Sequence, residues 1–180
     1  MDKDKIKEYI VCINGGSGVI FQPMDEKHSY ILTAKHVFDD INNYNDVVII
    51  GRYDPIKNIF IELEKFKLEE HINYFPHDTK DIAILKIDRL TGADNLIRLD
   101  SFEEKYKFSL YGFPGTRRNQ TNYLDRIRED SNLSISIEKS EGRREGILAD
   151  NSDLKELKGQ SGGGVFSILG DSVHDKKITH

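Results

Sequence analysis

Hydrophobic residues along this chain come in short runs separated by turn residues, and those runs predict strands. Segments rich in Val, Ile, Tyr and Phe lie at YIVCI (9–13), GVIFQP (18–23), SYILTAKHV (29–37), DVVIIGRY (46–53) and NIFIELEKF (58–66). They continue at DIAILKID (81–88), KFSLYGF (107–113), LSISIE (133–138) and GVFSIL (164–169). Several alternate with period two. Ile59, Ile61 and Leu63 stand against Glu62 and Glu64, with Phe60 the apolar exception, and Leu133, Ile135 and Ile137 stand against Ser134 and Ser136. Such alternation marks strands with one buried face. Gly15-Gly16, Asp54-Pro55 and Pro114-Gly115 punctuate the runs. Many short strands at this spacing predict barrels or a sandwich rather than a parallel α/β sheet.

No segment carries a long amphipathic helix pattern. Short helical turns are predicted at Ala34–Ile41 and at Asp153–Leu157, the second behind the cap sequence Asn151-Ser152-Asp153. A more polar stretch near 90–107 divides the chain into halves. The stretch 116–146 is the most charged and least periodic, and it holds six of the nine arginines. It reads as a solvated loop, with contact to an acidic partner as the alternative.

Composition narrows the function classes. With 180 residues the chain makes one domain or two small barrels sharing a core. Hydrophobic residues at 37% and seventeen Tyr or Phe indicate a folded chain rather than a disordered one. A net charge of −5 argues against a general nucleic-acid binder. No apolar run approaches the ~18 residues of a membrane span. The opening MDKDKIKEYI lacks the apolar centre of a signal peptide, so a cytoplasmic location is expected. The single cysteine, Cys12, excludes an intramolecular disulfide and a cysteine-rich zinc site. No cofactor or metal is expected.

Three places can carry chemistry. Gly159-Gln160-Ser161-Gly162-Gly163-Gly164 precedes a strand-like run. Glycines around a serine allow a tight turn, expose the hydroxyl and converge backbone N–H groups, those of Gly159 and Ser161, on one point. A Gly-rich hairpin or a phosphate loop would use similar residues, although a phosphate loop carries a Lys and leads into a helix. Of the six histidines, five sit in polar, loop-like surroundings where a solvated side chain is the usual reading. His36 instead closes the strand-like run YILTAK. Asp81 opens the apolar run IAILKI and is placed to orient an imidazole, with Asp78 as a rival.

Together the three resemble the trypsin-like (chymotrypsin-fold) serine peptidases. LTAKHV resembles that family's Leu/Thr-Ala-Ala-His block, DIAILKI its Asp-Ile-Ala-Leu-Leu block, and GQSGGGV its Gly-Asp-Ser-Gly-Gly block. GGSGVIF resembles the Gly-Ser/Thr-Gly-Phe opening of bacterial members, and YGFPG (111–115) a Gly-Tyr/Phe-Pro segment early in their second barrel. The order His, Asp, Ser is that of the chymotrypsin arrangement, and the resemblance spans roughly residues 15–169.

The resemblance implies an all-β fold of two six-stranded-type antiparallel barrels with the active site between them. Residues 1–92 would form the first barrel, 93–106 a linker and 107–180 the second. It implies a serine endopeptidase in which Ser161 attacks a peptide carbonyl, His36 moves the proton and Asp81 orients the imidazole. Gly159 and Ser161 would supply the oxyanion hole, and a protein or peptide would be the substrate. Lys155, six residues before the serine, would lie at the pocket floor and favour an acidic side chain; a solvated lysine is the alternative. Bacterial domains of this kind are often joined to sensor or oligomerising modules, for example in antiphage defence, so regulatory domains or subunits are expected partners, with neither nucleic acid nor membrane among them.

Two departures stand out. Gln160 replaces the aspartate that pairs with a freshly cut N-terminus in digestive members, so activation by that cleavage is not expected. Nineteen residues follow Ser161, fewer than the family uses to finish its second barrel, so KKITH (176–180) reads as a strand cut short, and the expectation is a protease domain truncated from a longer polypeptide, with an unusually short second barrel as the alternative. The competing function is a protease-fold module that binds or scaffolds a peptide without cleaving it. Retention of all three triad residue types favours the enzyme.

Overall fold

The computed structural model describes residues 6–14, 16–22, 27–39, 47–54, 59–90, 98–99, 107–114, 127–138, 143–148, 162–168 and 177–179. Strands β1 (Ile10–Ile13), β2 (Gly16–Phe21), β3 (His28–Thr33), β4 (Val47–Asp54), β5 (Ile59–Lys67), β6 (Tyr74–Pro76) and β7 (Ala83–Asp88) form one sheet. Its order is β5-β4-β1-β2-β3-β7-β6, and every neighbouring pair is antiparallel. Strands β8 (Arg98–Leu99), β9 (Lys107–Gly112), β10 (Arg128–Glu138), β11 (Arg143–Leu148), β12 (Gly164–Ile168) and β13 (Lys177–Thr179) form the second, ordered β11-β10-β9-β12-β13-β8.

The stretch 116–146, expected to be a solvated loop, instead carries β10 and the start of β11, which pair with each other because the backbone ladder does not depend on an apolar alternation. The all-β, antiparallel architecture expected from the hydrophobic runs is otherwise present, with three differences. The first sheet has seven strands, because the short Tyr74–Pro76 segment adds to β7 at its edge. Among the described residues neither sheet closes on itself, since the outer strands of each are not paired with one another. The third difference is at Arg98–Leu99, inside the stretch expected to link the halves. These residues pair in parallel with Lys177–Ile178, so the segment read as a strand cut short lies between β12 and β8.

Local sequence explains the strands near the site. Ile13 and Gly16 pair across a two-residue connection, Asn14-Gly15, with Asn14 at φ 48°, and Asn-Gly suits a tight hairpin turn. In β7, Ala83, Leu85 and Ile87 are buried and alternate with Ile84, Lys86 and Asp88, the period-two pattern of a strand over a core. Strand β2 is buried along almost its whole length. Gly18 lies in its middle because a side chain would not fit: a Cβ there would stand 2.6 Å from Ile31 Cγ2 and 2.7 Å from Ile13 Cδ1. The helix expected at Ala34–Ile41 is a single 3-10 turn, Lys35–Phe38. It is held by bonds from Val37 N–H to Ala34 O and from Asp39 N–H to His36 O, and it drops Phe38 into the core beside Tyr74. The β-branched Val37 and the i→i+3 bonding suit one tight turn rather than a longer helix.

One core joins both sheets. Ile10, Ile20, Ile31 and Leu85 from the first sheet cluster with Tyr111, Phe113 and Ile127 from the second half of the chain. Burying each such side chain contributes about 1.5–3 kcal/mol, so the pairing of the two sheets is a packing event as much as a matter of chain connection.

Candidate active site

His36 and Asp81 come from opposite ends of a strand pair. Strand β3 runs antiparallel to β7 with Thr33 opposite Ala83, so the residues leaving β3 and those entering β7 meet at one end of the sheet. His36 sits in the 3-10 turn just after β3, and Asp81 in the loop just before β7. The pairing therefore brings two residues 45 positions apart to one corner.

Asp81 receives two bonds from His36. The backbone N–H of His36 donates to Oδ1 at 2.9 Å, and the imidazole Nδ1 stands 2.6 Å from Oδ2. Partial burial pushes the Asp81 carboxyl up, but the hydrogen bonds from His36, its charge and a further backbone bond from Lys35 outweigh that and hold it below its ordinary value. An ionised carboxylate only accepts, so Nδ1 must carry the proton of this bond. Nε2 is left as the basic nitrogen, on a side chain that is 48% exposed. Among the described residues it is Asp81, not its rival Asp78, that bonds His36.

The loop carrying Asp81 has its own support. His77 Nδ1 accepts the backbone N–H groups of Thr79 and Lys80, each at 3.2 Å. Lys35, adjacent to His36, donates from Nζ to the His77 carbonyl at 3.3 Å. The expectation that His77 is merely solvated therefore misses its bonding: it is exposed, yet its ring organises the turn into Asp81. His28 departs from a loop-like reading as well, since it begins β3 opposite Asp88. His71 is exposed beside Glu70, at 3.7 Å.

Gly159, Ser161 and Lys155 lie outside the described residues, as do His174, His180 and the helical turn expected at Asp153–Leu157. The residue after Ser161 is described. Gly162 has φ +80°, and a Cβ there would overlap the Ser17 carbonyl oxygen and Thr33 Oγ1 and stand 2.8 Å from Ala34 N. The backbone at 162 thus rests against the segment that leads into His36. Only glycine has both the freedom at positive φ and the missing side chain that this contact requires.

Two residues with a part in this corner escape a sequence reading. Thr33 Oγ1 donates to the Ser17 carbonyl at 2.7 Å, and Ser17 Oγ accepts the Phe113 N–H at 2.8 Å. The available signal lies in the motif blocks themselves, because GGSG, LTAKH and YGFP are the three segments these bonds join. Among the described residues no cluster of His, Cys, Asp and Glu is arranged to hold a metal ion. Among them, too, no helix is long and apolar enough to cross a membrane.

A two-sheet β protein with a histidine–carboxylate pair at a strand corner and a glycine turn against it defines a class, and one family profile agrees with it. The family profile described as Trypsin matches residues 24–170. No curated protein matches the chain. The chain belongs to the trypsin family, the chymotrypsin-fold serine peptidases.

Proposed function

We propose that the protein is a serine endopeptidase with Ser161 as nucleophile, His36 as general base and acid, and Asp81 as the group that orients the imidazole and stabilises the imidazolium. The observation that carries this reading is the contact of Gly162 with Thr33 and Ala34. Residue 161 is one Cα step of ~3.8 Å from Gly162, and Ala34 is two residues before His36. A serine delivered there needs a base whose free nitrogen is Nε2, which is what the His36–Asp81 bond leaves available.

In this mechanism Ser161 Oγ adds to the peptide carbonyl carbon while its proton passes to His36 Nε2. The carbonyl oxygen becomes an oxyanion, taken up by the N–H groups of Gly159 and Ser161. The imidazolium is stabilised by Asp81 and gives its proton to the leaving amine as the C–N bond breaks. Water then repeats the sequence on the acyl-enzyme, releasing the acid and restoring the serine. Lys155 serves substrate selection, with an acidic side chain before the scissile bond as its complement. The family resemblance further supports service as the effector domain of a larger, intracellular sensor or defence protein.

Labelling with a fluorophosphonate probe tests the chemistry without knowledge of the substrate. Wild type labels and Ser161→Ala does not if the reading holds. A folded wild type that stays unlabelled overturns it in favour of a silent peptide-binding module.

A further inference from the structure

Ser17 uses its two oxygens in different directions. It is fully buried in β2. Its carbonyl oxygen accepts the Thr33 hydroxyl, a tie within the first sheet to the strand that ends at the His36 corner. Its hydroxyl oxygen accepts the N–H of Phe113, the residue after β9 in the second sheet, across 96 positions of chain. Gly162 rests on that same carbonyl and on the Thr33 hydroxyl. One residue therefore touches the second sheet, the approach to His36 and the neighbour of Ser161.

We infer that Ser17 is a positioning residue for the triad, setting the distance between the sheet that follows Ser161 and the sheet that holds His36 and Asp81. The inference rests on the endopeptidase reading. Its physical basis is directional. Much of the contact between the sheets is apolar packing by Tyr111 and Phe113, which favours closeness but tolerates small sliding. A hydrogen bond with a defined length and angle removes that freedom. Nucleophile and base must meet within about 3–3.5 Å, and a misplacement of about 1 Å costs on the order of a hundredfold in rate. Ser17→Ala removes the hydroxyl oxygen that fixes the Phe113 N–H, so the directional tie between the sheets is lost and the second sheet is free to shift.

The test measures fluorophosphonate labelling of wild type, Ser17→Ala, Ser17→Thr, Ser17→Cys and Ser161→Ala, at a temperature where circular dichroism shows each folded. The limiting labelling rate is separated from probe affinity, and exchange of the Phe113 amide is followed in parallel. The expected result for Ser17→Ala is a limiting rate about 10- to 100-fold lower, with probe affinity unchanged and faster Phe113 exchange. Ser17→Thr keeps the hydroxyl and returns the rate to within about threefold of wild type. Should Ser17→Ala not fold, Ser17→Cys, whose thiol is a weak acceptor, carries the test and is expected to lose at least about fivefold. The NMR signal of the His36 Nδ1 proton persists in all of these, since that pair lies within the first sheet. A folded Ser17→Ala, or Ser17→Cys in its place, that labels at the wild-type limiting rate overturns the inference and leaves the endopeptidase reading standing. A Thr variant that protects Phe113 without restoring the rate also overturns it. Absence of labelling in wild type, or labelling that survives Ser161→Ala, overturns both.

Discussion

Asp81 binds His36 twice, once at the backbone N–H and once at Nδ1, so a single carboxylate fixes both the position of the histidine and the orientation of its ring. The backbone bond holds the start of the 3-10 turn at the carboxylate. The side-chain bond then selects the tautomer. Rotation of the ring to point Nε2 at Asp81 would forfeit the 2.6 Å contact, so the basic nitrogen stays aimed away from the carboxylate.

Asp81→Asn separates these two functions. An asparagine can still accept the His36 backbone N–H through its carbonyl, so the turn survives. Its NH₂ cannot accept from Nδ1–H, and the imidazole is driven to the tautomer with the proton on Nε2, where no base remains. Comparable triads lose about 10⁴ in rate from this exchange. The expected outcome is a folded variant whose probe labelling at neutral pH falls by about that factor; a loss under about tenfold would show that the carboxylate does not set the tautomer.

The depressed Asp81 pKa also predicts an acid limit. The unfolded carboxyl titrates near 3.8, while the folded one takes its proton only at lower pH. The stabilisation from the ionised form is therefore complete above the unfolded value and is lost as pH falls through the folded one. The melting temperature of wild type and of Asp81→Asn, followed from about pH 6 to 2, tests the sign. The excess stability of wild type is expected to shrink below about pH 4, and a gap that widens in acid would contradict the assignment. With half of each side chain exposed, the change is small.

His77 tests whether loop order matters to the pair. Its ring nitrogen takes two backbone N–H groups ahead of Asp81 on one lone pair, so the two together are worth no more than about one ordinary hydrogen bond, about 0.5–1.5 kcal/mol net. His77→Ala is expected to speed hydrogen exchange at Thr79 and Lys80, while His77→Asn, whose carbonyl can cap the same groups, keeps most of the protection. Exchange in His77→Ala as slow as in wild type would mean that the ring contributes nothing to the turn.

Much of this corner is legible in the sequence because its signals are local. The apolar runs of β1 to β5 and β7 announce themselves, and HV after a strand and D before one fall where a strand pair must bring its ends together. Strand β11, RREGIL, is hidden because its charged residues carry no alternation, and it is a strand through pairing with β10. Strand β8 is two residues long and exists through its parallel partner. The role of Ser17 is hidden for another reason. Beside glycines it reads as turn composition, and the N–H that gives it meaning belongs to Phe113, far along the chain. His77 reads as solvated because exposure and bonding are separate properties, and only the first follows from polar neighbours.

Gly18 offers a measure of core tightness. The Cβ of an alanine there would stand 2.6 Å from Ile31 Cγ2, 2.7 Å from Ile13 Cδ1 and 3.1 Å from Val11 Cγ2, all on fully buried residues. Overpacking of this kind costs about 1–3 kcal/mol. Thermal unfolding of Gly18→Ala is expected several degrees below wild type, at about 2–4 °C per kcal/mol for a chain of this size. An unchanged midpoint would show that the three methyl groups can withdraw without loss.

Gly162→Ala asks more of the structure, and in a more functional place. A methyl group here meets a backbone carbonyl, that of Ser17, which has no rotamer to escape into, and the position also has φ +80°. An L-residue with a side chain costs about 1–2 kcal/mol in that region even before the overlap. The cheaper response is for the turn to lift off Ser17 and Thr33, carrying residue 161 with it, while His36 and Asp81 remain paired within the first sheet. Gly162→Ala is thus expected to retain the His36 Nδ1 proton signal and to lose at least about a hundredfold in labelling rate. Loss of the proton signal would mean that the turn supports the histidine corner itself, and wild-type labelling would mean that Ser161 does not depend on this contact for its position.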